Sequence, residues 1–246
     1  EIVEKEKIAL IKLERLLETP TAAVILEPLL QGAGGMSMVR PEFLRKVDQL
    51  VKEANALLIA DEVLTGFGRC GSLFASNRAG INPDLMALSK GLTGGFLPMG
   101  VTMAKEKIFT EFVGLEPHLT LWHGHSFTGN PLGCAAANSS LDLLEKKPNL
   151  YNRFEERHSP FLQDLAKHQK VQKLRLIGTI AAFNLKVNSQ KGYLNTSGKL
   201  IKSICLENGV YIRPLGDVIY LLPPLCITDA QLEKCYFAIR TALDKV

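Results

Sequence analysis

The chain has 246 residues, 46% of them apolar and 22% charged, with 29 basic against 25 acidic side chains and a formal net charge of +4. This is the composition of a folded chain of one or two domains and excludes disordered and collagen-like classes. The charge is spread without a basic run and no apolar stretch reaches membrane-spanning length, so neither nucleic acid nor a membrane is expected as a partner.

The first residues, Glu1-Ile2-Val3-Glu4-Lys5, include neither an initiator Met nor a signal peptide, and they read as a cut into a longer protein. Apolar residues at helical spacing predict a helix over 2–18, stopped by Thr19-Pro20-Thr21. A short apolar run at 22–26 predicts a buried strand, followed by a loop at Gly32, Gly34 and Gly35. Pro41 opens a predicted helix to residue 54. Three more strands follow at 56–60, 85–88 and 98–104. Apolar strands alternating with helices predict an α/β sheet covered on both faces. A helix rich in small residues is predicted at 131–144, and Lys146-Lys147-Pro148-Asn149 reads as a linker. The pattern then changes to α+β. A long polar helix broken near Pro160 precedes strands at 171–177 and 180–187 and a helix at 199–208. Short strands around Arg213 and Tyr220 and a last helix from Asp229 complete it. A domain boundary is placed near residue 146, giving domains 1–146 and 147–246.

The five cysteines (Cys70, Cys134, Cys205, Cys226, Cys235) are scattered, without a Cys-x-x-Cys pair or a zinc-finger spacing to His. They read as reduced thiols of a cytoplasmic protein. His123 and His125 lack a carboxylate at ligand spacing, so no metal is expected. Cys70 receives no functional reading.

Glu27, Asp61 and Lys90 each stand where an apolar strand ends, the place where ligands bind in open α/β sheets. Lys90 precedes Gly91-Leu92-Thr93-Gly94-Gly95, where glycines let backbone approach a ligand. A lysine at the end of a buried strand loses ammonium stability and becomes a nucleophile toward carbonyls. An aspartate at a neighbouring strand end can hold a heteroaromatic nitrogen protonated. That pairing suits pyridoxal phosphate chemistry; a surface lysine and a helix-capping aspartate fit the same pattern.

The run Leu58-Ile59-Ala60-Asp61-Glu62-Val63-Leu64-Thr65-Gly66-Phe67-Gly68-Arg69, then Pro83-Asp84-Leu85 and Ser89-Lys90-Gly91-Leu92-Thr93-Gly94-Gly95, resembles the signature of class III pyridoxal-phosphate-dependent aminotransferases. Glu27-Pro28, Gln31-Gly32 and the stretch from His123 to Pro131 are similar to the same family. The resemblance implies fold type I: the latter part of a mainly parallel large-domain sheet, then an α+β small domain. It implies that Lys90 carries the cofactor covalently and shuttles a proton, and that Asp61 bonds the pyridinium nitrogen. It places Val63, expected to point the same way as Asp61 along an extended segment, on the ring face, where a plain core valine fits equally well. Ser126 resembles the hydroxyl that holds the cofactor phosphate across a dimer interface, so a homodimer with shared sites is implied. His125 beside it offers a backbone N–H, although its side chain departs from the Pro associated with this position in the biotin branch. Gly124 lets substrate approach the backbone or is a turn glycine.

Three segments resemble the biotin-synthesis branch of the family: Glu27 to Met36, Asn130 to Asn138, and Ile212 to Pro224. They imply S-adenosylmethionine as amino donor and 8-amino-7-oxononanoate as acceptor. Arg213 then suits the acceptor's far carboxylate through its guanidinium fork, with a surface ion pair as the alternative. Tyr220 lines the same pocket or the core. Arg69 faces adenosylmethionine or pairs with a carboxylate, and Glu27 gates the site by pairing with an arginine. The rivals are a class III aminotransferase acting on ornithine, 4-aminobutyrate or a polyamine, and a non-catalytic cofactor-binding fragment. No Gly-Ser pair and no aromatic residue precedes Glu27. The family's N-terminal phosphate loop and ring-stacking aromatic are therefore not in this sequence, and the piece alone is expected to bind cofactor weakly and turn over little or nothing.

Overall fold

The computed structural model describes residues 1–147, 149–186 and 196–245. In chain order the first elements are α1 (Ile2–Leu17), β1 (Ala23–Leu26), β2 (Leu30–Gln31), β3 (Ser37–Met38), α2 (Pro41–Glu53), β4 (Leu57–Asp61), α3 (Ala75–Ala79) and β5 (Leu85–Leu88). They are followed by β6 (Val101–Ala104), α4 (Glu106–Phe109), α5 (Pro131–Lys146), α6 (Asn149–Asn152), α7 (Phe154–Leu165), β7 (Val171–Ile177) and β8 (Ile180–Leu185). The last are α8 (Ser197–Glu207), β9 (Val218–Leu221) and α9 (Asp229–Lys245). The chain divides into two compact units: Glu1–Leu29, Val39–Phe67 and Phe74–Lys147 in the first, and Leu30–Met38, Gly68–Leu73 and Pro148–Val246 in the second.

The first unit holds a four-stranded sheet in the order β1-β4-β5-β6. β1, β4 and β5 are parallel, with Leu26 opposite Ala60 and Asp61 opposite Ala87. β6 runs antiparallel to β5. Helix α2 starts at Pro41, whose missing N–H costs nothing in the first turn, and buries Leu44, Val47 and Val51. It lies against β4, where Leu58 and Ala60 are buried. Helix α1 is tied to the start of α2 by the buried Glu6, which accepts the Arg40 backbone N–H at 2.8 Å and Arg40 Nε at 2.7 Å. Burial on both faces, expected along every strand, does not extend to the outer ones. All of β6 is exposed, and Ile25 in β1 is 63% exposed. An apolar run reports that a strand is to be covered, but the covering must come from another element.

The second unit contains the antiparallel sheet β7-β8-β9, with α8 and α9 packed on each other. Phe183, Ile201, Ile219, Leu232, Ile239 and Leu243 form its centre. The segment expected as a glycine loop is a small hairpin, with β2 and β3 joined through the Gly32–Gly35 turn. Arg175 holds it within this unit, donating from Nε to the Met36 carbonyl and from a terminal nitrogen to the Gly35 carbonyl, both at 2.7 Å. Pro160 does not break the polar helix. α7 runs through it, and the break lies earlier, at Arg153. There is no strand at Arg213, which lies in irregular chain before a single bridge between Leu215 and Val218. The expected strand end at Val187 and the linker's Pro148 fall outside the described residues. No helix among the described residues is long and apolar enough to cross a membrane.

Candidate active site

The parallel register sets three ionisable groups along one sheet edge. Glu27 follows Leu26, which pairs with Ala60; Asp61 ends β4; and Lys90 lies just beyond β5. All three are at carboxyl ends of neighbouring strands, the place where ligands bind in open α/β sheets. Glu27 is half-buried and already engaged by a neighbour.

Lys90 begins a short 3-10 turn, Lys90–Thr93, that Gly94 closes in the left-handed region. The Gly95 N–H donates to the Lys90 carbonyl at 3.1 Å. Lys90 itself has φ +42°, a conformation rare outside glycine and asparagine and concentrated at functional sites. The turn is packed from two sides. The Ser140 hydroxyl of α5 donates to the Gly91 carbonyl at 3.3 Å, and the Phe67 side chain lies against Gly91, where an added Cβ would come within 2.9 Å of Phe67 Cβ. Contrary to the burial that the sequence argument assumed, Lys90 is exposed. Its amine has no partner among the described residues.

Asp61 is half-buried, and its Oδ1 accepts the Val63 N–H at 3.1 Å. This bond turns the chain, so Val63 does not extend the strand direction as expected; β4 ends at Asp61 and residues 63–70 are turns. The other carboxylate oxygen has no partner among the described residues. The next residue, Glu62, received no role from the sequence, yet it is fully buried and accepts bonds from Thr65, Ala75 and Ser76. The signal that marks it is a carboxylate directly after an apolar strand, with hydroxyl residues close on both sides in sequence.

Residues 123–129 form an exposed loop. The His125 N–H, expected to face an anion, donates to the Thr128 hydroxyl at 3.0 Å, and its ring Nδ1 accepts the Phe127 N–H at 3.1 Å. Ser126 is exposed, and Gly124 lies next to the Thr128 hydroxyl. A cleft of about 680 Å³ opens here, lined by residues 97–100, His125 and residues 127–132. Asp61, Val63 and Lys90 are not part of its wall.

In the second unit, Arg213 is exposed between buried Ile212 and Pro214, and it forms no ion pair with any described residue. Tyr220 is half-buried on β9 opposite Ala182. Arg69 meets no carboxylate among the described residues. Its guanidinium donates to the Pro223 carbonyl and to the Thr179 hydroxyl, while Thr179 N–H returns a 2.9 Å bond to the Arg69 carbonyl. Burial pulls its pKa below the usual guanidinium range. None of the five cysteines is joined in a disulfide.

The primary amine of Lys90 and the uncommitted oxygen of Asp61, on adjacent strand ends beside a glycine turn, fit a pyridine-aldehyde cofactor. The amine matches the aldehyde, and the carboxylate matches the ring nitrogen.

The family described as aminotransferase class-III matches residues 3–243. The chain is 50% identical over 243 residues to the adenosylmethionine-8-amino-7-oxononanoate aminotransferase of Synechococcus elongatus, covering 98% of this chain and 57% of that protein. A solved structure of the enzyme of that name from Methanocaldococcus jannaschii superposes with a TM-score of 0.83 at 33% identity, over 91% of this chain and 54% of the other. The ornithine aminotransferase of Toxoplasma gondii gives the same TM-score at 30% identity, over 96% of this chain and 54% of the other. The chain thus spans about half the length of the curated relatives it matches.

Proposed function

Because the chain belongs to the class-III aminotransferase family, we propose that it carries the cofactor-anchoring and acceptor-recognition parts of a pyridoxal-phosphate-dependent transaminase of biotin synthesis. The observation that carries this reading is the Lys90–Asp61 pair at adjacent strand ends, each with its reactive atom uncommitted among the described residues. In the reaction, the amino group of S-adenosylmethionine is exchanged for a ketone oxygen. The ketone of 8-amino-7-oxononanoate becomes the second amine of 7,8-diaminononanoate.

Bound pyridoxal phosphate supplies an electron sink for the pair left at a substrate carbon when its proton is removed. Lys90 would hold the cofactor through Nζ, and its amine would move that proton. Asp61 keeps the ring nitrogen protonated through its free oxygen, while Oδ1 stays on the Val63 N–H. Val63 borders the ring. The Ser126 hydroxyl and the His125 N–H, released from Thr128, take the phosphate of a partner copy in a homodimer. Gly124 leaves room for substrate. Arg213 receives the acceptor's carboxylate in a two-pronged ion pair, Tyr220 lines the same pocket, and Glu27 answers the cationic groups. Arg69 enters as a brace, with one terminal nitrogen already engaged by the Pro223 carbonyl and the Thr179 hydroxyl. The domains of this reading are the cofactor-binding part over 1–146 and a small domain over 147–246, and the compartment is the cytoplasm.

The unpaired Arg213 and the 50% identical Synechococcus relative support the biotin branch. The ornithine aminotransferase likeness supports the wider ω-aminotransferase reading. The test is borohydride reduction in the presence of pyridoxal phosphate with peptide mapping, followed by amine-transfer assays. The expected label lies on Lys90 at low yield, and such transfer as is measured to 8-amino-7-oxononanoate exceeds transfer to 2-oxoglutarate. Label elsewhere defeats the site, and preference for 2-oxoglutarate defeats the biotin branch.

A further inference from the structure

We propose that Glu62 is a positioning residue for both members of the Asp61–Lys90 pair. After Asp61 the chain leaves the sheet edge and returns at α3. Glu62 fastens the two arms of this excursion together. Its Oε2 accepts the Thr65 hydroxyl at 2.6 Å and the Ala75 N–H at 3.1 Å, and its Oε1 accepts the Ser76 N–H at 2.7 Å and the Ser76 hydroxyl at 2.5 Å. The side chain is 0% exposed, so these donors replace water entirely, and losing one leaves a buried polar group unmatched. Its backbone is equally committed: the Glu62 N–H donates to the Ala87 carbonyl of β5, and its carbonyl accepts the Gly66 N–H.

The fastened neck also fixes Phe67. This residue is buried at φ +57°, packs edge-on against Phe74 with ring centroids 5.5 Å apart, and presses on Gly91. A line therefore runs from Glu62 through its bond to the Ala75 N–H, the adjacent Phe74 and the Phe67 ring to the turn that starts at Lys90. On its other side Glu62 is bonded directly to Asp61 in the chain. Moving this carboxylate would disturb both groups at once, although it touches neither cofactor nor substrate. The assignment rests on the reading of Asp61 and Lys90 given above.

The substitution Glu62→Gln keeps the shape but points an NH₂ group at two of the four donors. Ser76→Ala removes one hydroxyl and leaves its N–H. Hydrogen–deuterium exchange of the protein without added cofactor should rise roughly tenfold in E62Q, both over 63–76 and over 89–95, with a smaller rise in S76A. Exchange over 171–185 should stay unchanged, which separates local loosening from loss of fold. The dissociation constant for pyridoxal phosphate, read by absorbance, should weaken roughly tenfold in E62Q by the same loss. Exchange that rises over 63–76 while 89–95 keeps its wild-type rate overturns the proposal. A wild-type chain that takes up no pyridoxal phosphate defeats the functional reading instead, and the 89–95 exchange then decides the positioning role by itself.

Discussion

His158 is fully buried in the second unit, with Nδ1 2.6 Å from the Tyr236 hydroxyl and Nε2 3.2 Å from the Thr179 carbonyl. A carbonyl only accepts, so Nε2 carries the proton and Nδ1 accepts the tyrosine O–H. Both ring nitrogens are satisfied in the neutral form. Burial lowers the imidazole pKa from 6.5 to about 4, with the Arg157 charge adding to the effect and the Thr179 bond and Glu155 opposing it. Above pH 6.5 the ring is neutral whether folded or unfolded. Between 6.5 and about 4 only the unfolded chain takes up the proton, so stability falls with pH, and below about 4 the loss is complete. The expected loss is about 3 kcal/mol. Urea unfolding of wild type and His158→Gln from pH 7.5 to 4.5 measures it. The variant should lose less stability on the acid side; parallel curves would refute the assignment. The sequence offered no hint of this residue, because a histidine in a polar helix looks the same whether it faces solvent or a tyrosine from α9.

At the scale of elements, helix α8 and the segment carrying Arg213 are locked by a missing side chain. A Cβ at Gly198 would lie 2.3 Å from the Gly216 carbonyl oxygen and 2.6 Å from Pro214 Cβ. The first of these is backbone and cannot swing aside, so helix or loop must move. Gly198→Ala should destabilise the protein by about 1–3 kcal/mol, read as a lower thermal midpoint. In the proposed reading it also weakens binding of the carboxylate-bearing substrate, because Arg213 directly precedes the displaced Pro214. An unchanged midpoint would mean that the loop yields freely. The elements themselves were largely legible. Helical spacing marked α1, the opening Pro41 marked α2, a run of small residues marked α5, and apolar runs marked β1, β4 and β5. The misses have local causes. The β2–β3 hairpin is too short to show an alternating pattern and depends on Arg175, distant in sequence. Pro160 reads as a breaker, yet packing of Phe154, Leu162 and Leu165 holds α7 continuous around it. Arg213 looks like a strand residue because it follows the apolar run Val210-Tyr211-Ile212.

On the scale of the whole molecule, the first unit leaves many apolar side chains in water. Phe96 and Trp122 are each 83% exposed, Phe127 is 75% and Leu132 is 73%. Phe127 and Leu132 line one cleft, an exposed apolar surface of the kind that interfaces cover, and the homodimer of the proposed reading would cover the loop that bears Ser126. Trp122 is the only tryptophan, so it reports on this loop without labelling. Its emission should move to shorter wavelength as protein concentration rises through the range in which sedimentation detects a dimer. Solvent-exposed emission that persists in the dimer would place the interface elsewhere.

By itself the sequence determined the chemistry on offer: a lysine and an aspartate at strand ends, a glycine turn beside the lysine, and a signature shared with the class-III aminotransferases. It could do so because strand ends and glycine turns are local, and a motif is a record of local geometry. Tertiary structure alone decided which groups are committed and which are free. Arg69 is engaged with Pro223 and Thr179, the His125 N–H with Thr128, and Glu62 with three residues on two arms of a loop, whereas Arg213 and Lys90 remain exposed. A hydrogen bond depends on distances of a fraction of an ångström between residues far apart in the chain. Burial depends on what another element places above a side chain, and neither quantity is written in the local pattern.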